Sequence, residues 1–160
     1  WNIGILNSTT EYITNWNVDD IRFDISTITK YHALSKNINT DLAYSYYIGI
    51  DESEIGIVDL NEQQYIEYPD NFHEQALSMC MAGPDPMWRK STHIFYGYFD
   101  YTNYSIIGDW EMWVRMAKNG LIFTLLPYVL GVYVDHKDTV SKSSEEKVEQ
   151  QKQNLRRQYT

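Results

Sequence analysis

The sequence predicts an α/β domain. Segments with strand composition alternate along the chain with segments of helical periodicity. The 160 residues, of which 43% are hydrophobic and 15% aromatic, are enough for one domain with a substantial core. Acidic and polar residues follow the predicted strands, and open α/β sheets bind their ligands at that edge.

Three segments have the composition of strands. Residues 12–18, YITNWNV, form a short apolar segment that ends in two adjacent acids, Asp19 and Asp20. Residues 41–50 are rich in tyrosine and isoleucine, which favour strands. Residues 121–136, LIFTLLPYVLGVYVDH, are predicted to be two strands separated by a break at the proline.

Two segments, 26–35 and 109–119, have the spacing of amphipathic helices. The first has an apolar stripe with a spacing of three: Ile28, Tyr31 and Leu34. The second has a stripe at i, i+3, i+4 and i+7: Trp110, Trp113, Val114 and Ala117. Gly120 is expected at a left-handed C-cap of this helix, and Asp109 at its N-cap.

The remaining segments have weaker patterns. Residues 51–75 are the least regular, with IGIVDL and QYIEYP as candidate short strands and a turn expected at 69–71. Two prolines prevent a helix from starting at 83–87, whereas 88–97 can continue as a short helix closed by a glycine. From residue 141 onward the chain is charged, so we expect a solvated helix or frayed terminus outside the core.

The charge and the single cysteine exclude several classes of protein. A net charge of −9 argues against non-specific binding to nucleic acid, which needs a basic surface. Cys80 cannot form an internal disulfide, and its apolar neighbours indicate a core thiol. No stretch approaches the ~20 apolar residues of a transmembrane helix, and no signal peptide is recognisable. We therefore expect a cytoplasmic protein. Since it lacks a starting methionine, we expect a piece of a longer one.

Three places could carry chemistry, and each also has a structural interpretation. The acids of NVDD, 17–20, suit Mg²⁺ or Mn²⁺ holding a diphosphate, although paired acids before a loop are more often a turn and a cap. Asp109 at a helix N-terminus caps the helix, and the dipole favours its ionised form, which could act as a general base. His136 follows a strand, either as a partly exposed side chain or as a metal ligand.

The order of these segments resembles the later half to two-thirds of a family 2 glycosyltransferase, from residue 1 to about residue 144. Such enzymes have the GT-A fold, a Rossmann-like mixed sheet flanked by helices, and use nucleotide-sugar donors with inversion. Five segments carry the resemblance, in family order: WNIGI, EYITNWNVDDIRFDISTI, GPDPMWRKSTHIFYGYFD, GDWEMWVRMAKNG and YVDHKDTVS. They are similar to the family's pre-metal segment, its "DxDD" strand, its acceptor-side segment, its "ED" helix and its closing histidine segment.

The resemblance implies a role for each matching residue. Asp109 would be the catalytic base that deprotonates an acceptor hydroxyl as it attacks the sugar's anomeric carbon. Asp19, Asp20 and His136 would bind Mn²⁺ or Mg²⁺, which neutralises charge on the departing nucleoside diphosphate. The acceptor, a carbohydrate or glycoconjugate, would be bound by aromatic and basic side chains: Trp88, Arg89 and Trp110.

The sequence also departs from the family pattern. Asn17 stands where the signature's first Asp is usual, Gly108 replaces the Glu of "ED", and Asp135 replaces an Arg before the histidine. The family's first strand and nucleotide-base pocket have no counterpart here, so we expect that they precede Trp1 or that nucleotides bind poorly. Residues 1–144 would then be a partial GT-A domain and 145–160 a charged C-terminal helix or tail. The alternative is a non-catalytic sugar-binding or assembly module that keeps this fold.

Overall fold

The structure is a computed structural model that describes residues 1–57, 59, 64–66, 72–137, 139, 142 and 144–160. The described strands are β1 (Tyr12–Thr14), β2 (Ile21–Arg22), β3 (Leu42–Asp51), β4 (Tyr65–Ile66), β5 (Met87–Arg89) and β6 (Phe123–Asp135). The described helices are α1 (Asn2–Asn7), α2 (Ser26–Lys36), α3 (Phe72–Gln75), α4 (Thr92–Tyr96), α5 (Gly108–Lys118) and α6 (Glu145–Tyr159), with a 3₁₀ turn at Glu52–Glu54.

The strands form one mixed sheet in the order β1-β5-β3-β6-β2, and β4 pairs with Tyr47 and Ile48 of β3. Only β3 and β6 are parallel within the described sheet, and their pairing runs from Leu42 opposite Phe123 to Asp51 opposite Asp135. Both strands therefore end at the same edge, which is where ligands bind in open α/β sheets. The predicted α/β class with a mixed sheet flanked by helices is confirmed; the GT-A identity of the fold stays a prediction.

The proline in β6 causes a bulge, and the predicted break into two strands is wrong. Ser45 of β3 pairs with Leu126, whereas the next residue, Tyr46, pairs with Val129. Pro127 and the tyrosine after it are thus the extra residues of β6. Proline has no N–H to donate to the ladder, and a bulge accommodates it without ending the strand.

Helix α5 is the central helix of the core. Its predicted apolar stripe is confirmed, because Trp110, Trp113, Val114 and Ala117 are all buried. Gly120 has a φ of +84°, as predicted for a left-handed C-cap position. Glu111, predicted to lie on another face, is also buried and forms an ion pair with Arg115 at 2.8 Å.

Helix α2 turns a different face to the sheet than its apolar spacing indicated. Ile28 and Tyr31 are exposed, and the buried residues are Ser26, Lys30 and Leu34. The reason is an acid on the other side of the interface. Asp85 accepts hydrogen bonds from Ser26 and Lys30, at 2.5 and 2.9 Å, and so draws the polar residues of α2 inward.

The C-terminal helix α6 is formed as predicted, but its exclusion from the core is wrong. Val148, Gln151 and Leu155 are buried at positions i, i+3 and i+7, and Leu155 is fully buried. Tyr159 donates a hydrogen bond to Glu111 of α5 at 2.7 Å. The helix therefore packs on α5 with one face and presents its charges to solvent with the other.

Several smaller expectations are also settled. Residues 87–89 form a strand and not the start of a helix, while α4 ends at Gly97 as expected, with a φ of +75°. Helix α1 was not foreseen, and the turn expected at 69–71 lies outside the described residues. Cys80 is half-buried against the core, and desolvation raises the pKa of its thiol well above its usual range. No described helix is both long and apolar enough to cross a membrane.

Candidate functional site

A cleft of about 1190 Å³ lies where β3 and β6 end, at the carboxyl edge of the parallel pair. Ligand pockets typically measure about 300–1,000 Å³, so the cleft has room for a large polar ligand. One wall is formed by residues that follow the two strands and by the loop between β1 and β2. The opposite wall is formed by α1, the 98–106 segment and the first turn of α5.

Asp19, Asp109 and His136 all line this cleft. They come from three distant parts of the chain: the loop before β2, the start of α5 and the residue after β6. The expectation that these three side chains converge on one cleft at the rim of the sheet is confirmed. Their chemical roles stay predictions.

His136 lies between two carboxylates. Its Nδ1 is 2.9 Å from Oε2 of Glu52, and its Nε2 is 3.7 Å from Oδ2 of Asp19. Nε2 is shielded from solvent and has no hydrogen-bond partner among the described residues. The hydrogen bond to Glu52 raises the pKa of His136 and lowers the pKa of the Glu52 carboxyl, because each stabilises the other's charged form.

Glu52 was not recognised from the sequence, because it lies in the least regular segment. The strand pattern of the sequence nevertheless contains information on the position of Glu52. Once 41–50 and the end of 121–136 are taken as parallel neighbours, the polar residues after each strand must leave the sheet side by side. Asp51 pairs with Asp135 at the last position of the ladder, and the next two residues are Glu52 and His136.

Asp20, unlike Asp19, does not face the cleft. It is 6% exposed, and its two oxygens accept hydrogen bonds from the backbone N–H of Val134 at 3.1 Å and from Nδ2 of Asn17 at 3.0 Å. Burial raises the pKa of its carboxyl. These bonds attach the loop to β6 and so hold Asp19 beside His136. The structure gives Asp20 a structural role, and the predicted metal role has no support from its position.

Asn17 lines the cleft at the position where the resembling family has an acid. Its side-chain amide N–H₂ is used in the hydrogen bond to Asp20, so the carbonyl oxygen is the group that remains for a ligand. A neutral amide oxygen can accept from a hydroxyl but brings no charge. The loop therefore presents one cleft-facing carboxylate, Asp19, where the family signature would place two.

Asp109 lies one residue inside α5 and is not the N-cap. The N-cap is Ile107, which has no side-chain cap, and Asp109 accepts a hydrogen bond from the backbone N–H of Trp110 at 2.8 Å. Burial raises the pKa of its carboxyl despite the favourable helix terminus. The expected shift toward the ionised form is thus reversed, since desolvation outweighs the hydrogen bond and the helix terminus.

The two tryptophans predicted to bind an acceptor are in the core. Trp88 is 1% exposed, and its indole N–H donates to Nε2 of His93 at 2.9 Å. Trp110 is 6% exposed and donates to the carbonyl of Ala76 at 2.6 Å. Neither lines the cleft. The positions of both tryptophans therefore give no support to the predicted acceptor role, because each ring is enclosed by protein and its indole N–H already has an acceptor.

Arg89 also lies away from the cleft. Its guanidinium donates to the carbonyls of Leu34 and Thr40, at 2.8 and 2.9 Å, and forms an ion pair with Glu11 at 3.1 Å. It thereby joins the end of α2 to the start of β3. These contacts give Arg89 a structural role, and its position gives no support to the predicted acceptor role.

Other aromatic residues form the wall opposite His136. Asn2 of α1 makes two hydrogen bonds with the backbone of Phe99, at 2.8 and 3.1 Å, and fixes the helix against this turn. The aromatic residues of this wall are Trp1, Tyr98, Phe99, Tyr101 and Tyr104, while Tyr133 of β6 also lines the cleft. Such rings can pack against the apolar faces of sugars or nucleotides, which gives the cleft one acidic wall and one aromatic wall.

The side chains near His136 include a fitting but incomplete donor set for a divalent cation. In the described part of the chain, no group of three or more His, Cys, Asp or Glu residues is arranged to hold a metal ion. The separation of 3.7 Å between Nε2 of His136 and Oδ2 of Asp19 is shorter than two metal–ligand bonds of ~2.1 Å, so one ion could contact both. Mg²⁺ commonly takes only one or two protein ligands and completes its shell with water and phosphate oxygens.

No protein-family model matches this sequence, and no curated protein is similar enough to count as a relative. The class of the protein is therefore defined by its own fold and cleft. It is an α/β protein with a mixed sheet flanked by helices, and acidic residues and a histidine lie at the carboxyl edge of its parallel strands.

Proposed function

We propose that the chain is the catalytic and acceptor part of an inverting glycosyltransferase that uses a nucleotide-sugar donor and a divalent cation. The observation that carries the proposal is the convergence of Asp19, Asp109 and His136 on one cleft. If the chain functions like a family 2 glycosyltransferase, these three residues must lie in one site. They are far apart in the sequence, so their meeting in one cleft is not a consequence of chain proximity.

Asp109 is the general base in this proposal. It must accept the proton of an acceptor hydroxyl as that oxygen attacks the anomeric carbon of the donor sugar. Asp109 is half-buried in the wall of the cleft. Desolvation there raises the pKa of its carboxyl, and a raised pKa makes the ionised carboxylate a stronger base. The same shift predicts that the rate rises with pH as this carboxyl ionises.

His136 and Asp19 bind the diphosphate side of the donor. Nε2 of His136 and Oδ2 of Asp19 would hold Mn²⁺ or Mg²⁺, which when bound supplies positive charge to the departing nucleoside diphosphate. A second observation supports this assignment: Nε2 is shielded from solvent and has no hydrogen-bond partner among the described residues. A cation that binds the lone pair of Nε2 would give this nitrogen a partner.

The aromatic wall binds the sugar or the acceptor. Tyr98 and Phe99 belong to the segment that resembles the family's acceptor side, Tyr101 follows it directly, and all three line the cleft where Trp88 and Trp110 do not. This wall also supports the alternative, a sugar-binding or assembly module without turnover. Asn17 favours that alternative as well, because it removes one carboxylate from the loop that faces the diphosphate.

A thermal shift assay tests the proposal. We expect Mn²⁺ together with UDP or GDP to stabilise the chain more than Mn²⁺ alone. A ligand at 100 times its Kd contributes about 2.7 kcal/mol, which is roughly 5–10 °C in Tm for a chain of this size. Asp19→Asn and His136→Ala should abolish the shift, whereas Asp24→Asn, at an exposed position away from the cleft, should keep it.

The outcome also separates the alternatives. Stabilisation by the nucleotide-sugars accompanied by release of UDP or GDP supports the transferase. Stabilisation by free saccharides alone, without any effect of Mn²⁺ and nucleotide, supports the binding module and contradicts the proposed reaction.

A further inference from the structure

We propose that Glu52 is a positioning residue for His136. It holds the imidazole in the tautomer that carries its proton on Nδ1 and so directs the lone pair of Nε2 toward the side of Asp19. The use of this arrangement for binding a cation rests on the proposed function. The preference of His136 for this tautomer follows from its contact with Glu52 alone. Glu52 acts through His136 and need not contact a ligand.

The sheet places the two residues together. Strands β3 and β6 are parallel, and their last pair is Asp51 opposite Asp135. The next residue of each strand leaves the sheet at the same level, so Glu52 and His136 are neighbours although 84 residues separate them. Their side chains meet at 2.9 Å between Oε2 and Nδ1, which is an ordinary hydrogen-bond distance.

The turn that carries Glu52 is itself fixed by local hydrogen bonds. Asp51 caps the 3₁₀ turn by accepting from the backbone N–H of Ser53 at 2.9 Å, and Glu54 accepts from the backbone N–H of Asp51 at 2.8 Å. This reciprocal capping box holds the first residue of the turn in place. The fixed turn thus places the carboxyl of Glu52 within hydrogen-bond distance of the His136 ring.

The consequence for His136 follows from its two nitrogens. A neutral imidazole has one N–H and one lone pair, and the hydrogen bond made by one nitrogen determines the state of the other. Since a carboxylate can only accept, Nδ1 must donate to Glu52, and Nε2 is left with its lone pair. Nε2 lies 3.7 Å from Oδ2 of Asp19 and has no hydrogen-bond donor among the described residues.

Glu52 also supplies a negative charge to the cleft, where the loop of residues 17–20 has Asn17 in place of an acid. The position that is acidic in the resembling family is Asn17, so the loop offers Asp19 alone to the cleft. A carboxylate behind a metal-binding histidine orients the ring and increases its basicity, and loss of such partners typically costs 10–100-fold in metal affinity. Glu52 lines the same cleft and supplies this carboxylate from a different strand.

The test uses three substitutions and two readouts. Glu52→Ala removes the acceptor, Glu52→Gln keeps an acceptor oxygen without the charge, and Glu54→Gln is the matched control. The control removes one charge from the same turn and keeps the capping box, because Gln can also accept at that position. The first readout is the tautomer of His136 from its imidazole ¹⁵N chemical shifts, recorded without metal well above the ordinary histidine pKa of about 6.5. The second is Mn²⁺ affinity in the presence of UDP or GDP.

We expect the wild-type ring to carry its proton on Nδ1 and Glu52→Ala to lose that preference. The Mn²⁺ affinity of this variant should fall about 10–100-fold, Glu52→Gln should recover part of the loss, and Glu54→Gln should stay within about twofold. A wild-type ring protonated on Nε2, or a Glu52→Ala ring unchanged in tautomer, overturns the proposal. If the tautomer changes as expected but the wild type binds no Mn²⁺ with either nucleotide, the positioning role stands and the proposed function fails.

Discussion

Asp85 is the acid whose removal should damage the fold most. It forms ion pairs with Arg22 and with Lys30, the latter at 2.9 Å, and the side chain of Lys30 is only 1% exposed. It also accepts from Ser26 at 2.5 Å and from Thr14 at 3.1 Å. These partners join α2, β1 and β2, and the loop between the two strands carries Asp19.

The cost of Asp85→Ala follows from the burial of its partners. Breaking a buried ion pair by removing one member typically costs about 3–5 kcal/mol, because the other charge is left without compensation. Burial already lowers the pKa of Lys30, so part of the penalty will appear as loss of its proton. For a chain of 150–250 residues, each kcal/mol changes Tm by about 2–4 °C, which gives a loss of roughly 6–20 °C.

Thermal and urea denaturation measure this effect. Asp85→Asn should cost less than Asp85→Ala, because the amide keeps one acceptor oxygen for its neighbours. Asp24→Ala, which removes an exposed aspartate, should change Tm little. A free energy of unfolding for Asp85→Ala within about 1 kcal/mol of wild type would refute the assignment of Asp85 as the central acceptor of this network.

Four further predictions concern single residues. Asp109→Asn should lower the release of UDP or GDP from a panel of nucleotide-sugars with Mn²⁺ by ~10²–10⁴-fold at nearly unchanged Tm, because the amide oxygen still accepts from the first turn; equal turnover would leave Asp109 as a helix-end acceptor only. Leu155→Ala should cost about 2–5 kcal/mol in urea denaturation, since the side chain is fully buried; a loss near zero would mean that α6 is not part of the core. Gly131→Ala should cost about 1–3 kcal/mol, because the added Cβ would lie 2.9 Å from the carbonyl oxygen of Ile21; calorimetry measures it, and a neutral result contradicts the close approach. Burial lowers the pKa of His93, so the unfolded chain binds a proton at this histidine before the folded chain does. The free energy of unfolding should therefore fall as the pH falls below about 6.5. Urea denaturation at a series of pH values should show this fall for the wild type and a smaller one for His93→Gln, with no difference in pH dependence above that range.

The positions of the candidate site residues were partly predictable from the sequence. Asp19 and His136 follow strands, and polar residues after parallel strands gather at one edge of a sheet. The difference between Asp19 and Asp20 was not predictable, because adjacent residues have the same composition signal and only the hydrogen bond from Val134 shows which one turns inward. A site role for Glu52 could not be predicted, because residues 51–75 of the sequence have no regular pattern.

The tryptophans show the limit of reasoning from residue type. A large aromatic side chain can stack on a sugar or fill a core, and the same apolar stripe that predicted the buried face of α5 contains Trp110. Once that stripe is assigned to the core, its tryptophan cannot also line the cleft. Trp88 is enclosed by long-range contacts with Phe99 and Trp113, with ring centroids 6.2 and 5.2 Å apart, that no local pattern reveals.

The bounds and buried face of a helix could be predicted from the sequence where they depend on local apolar spacing. They could not be predicted where they depend on contacts with residues distant in the chain. The 3.6-residue spacing and Gly120 defined α5 almost to the residue. In α2 the same reasoning chose the wrong face, because an ion pair with Asp85 outweighs the apolar spacing and buries Lys30. In α6 the high charge of the segment indicated a solvated helix, although Val148 and Leu155 lie seven residues apart on one face.

The most direct test of the account is paramagnetic broadening by Mn²⁺ in NMR spectra of the chain mixed with UDP or GDP. If one cation-dependent site joins the three residues, Mn²⁺ should broaden the amide signals of Asp19, Asp109 and His136 together. The signal of Arg89, which lies beside the start of β3 and so at the other end of the parallel pair, should persist, and Asp19→Asn should remove the broadening. Broadening at other positions, or none at any Mn²⁺ concentration that leaves the chain folded, would contradict the account.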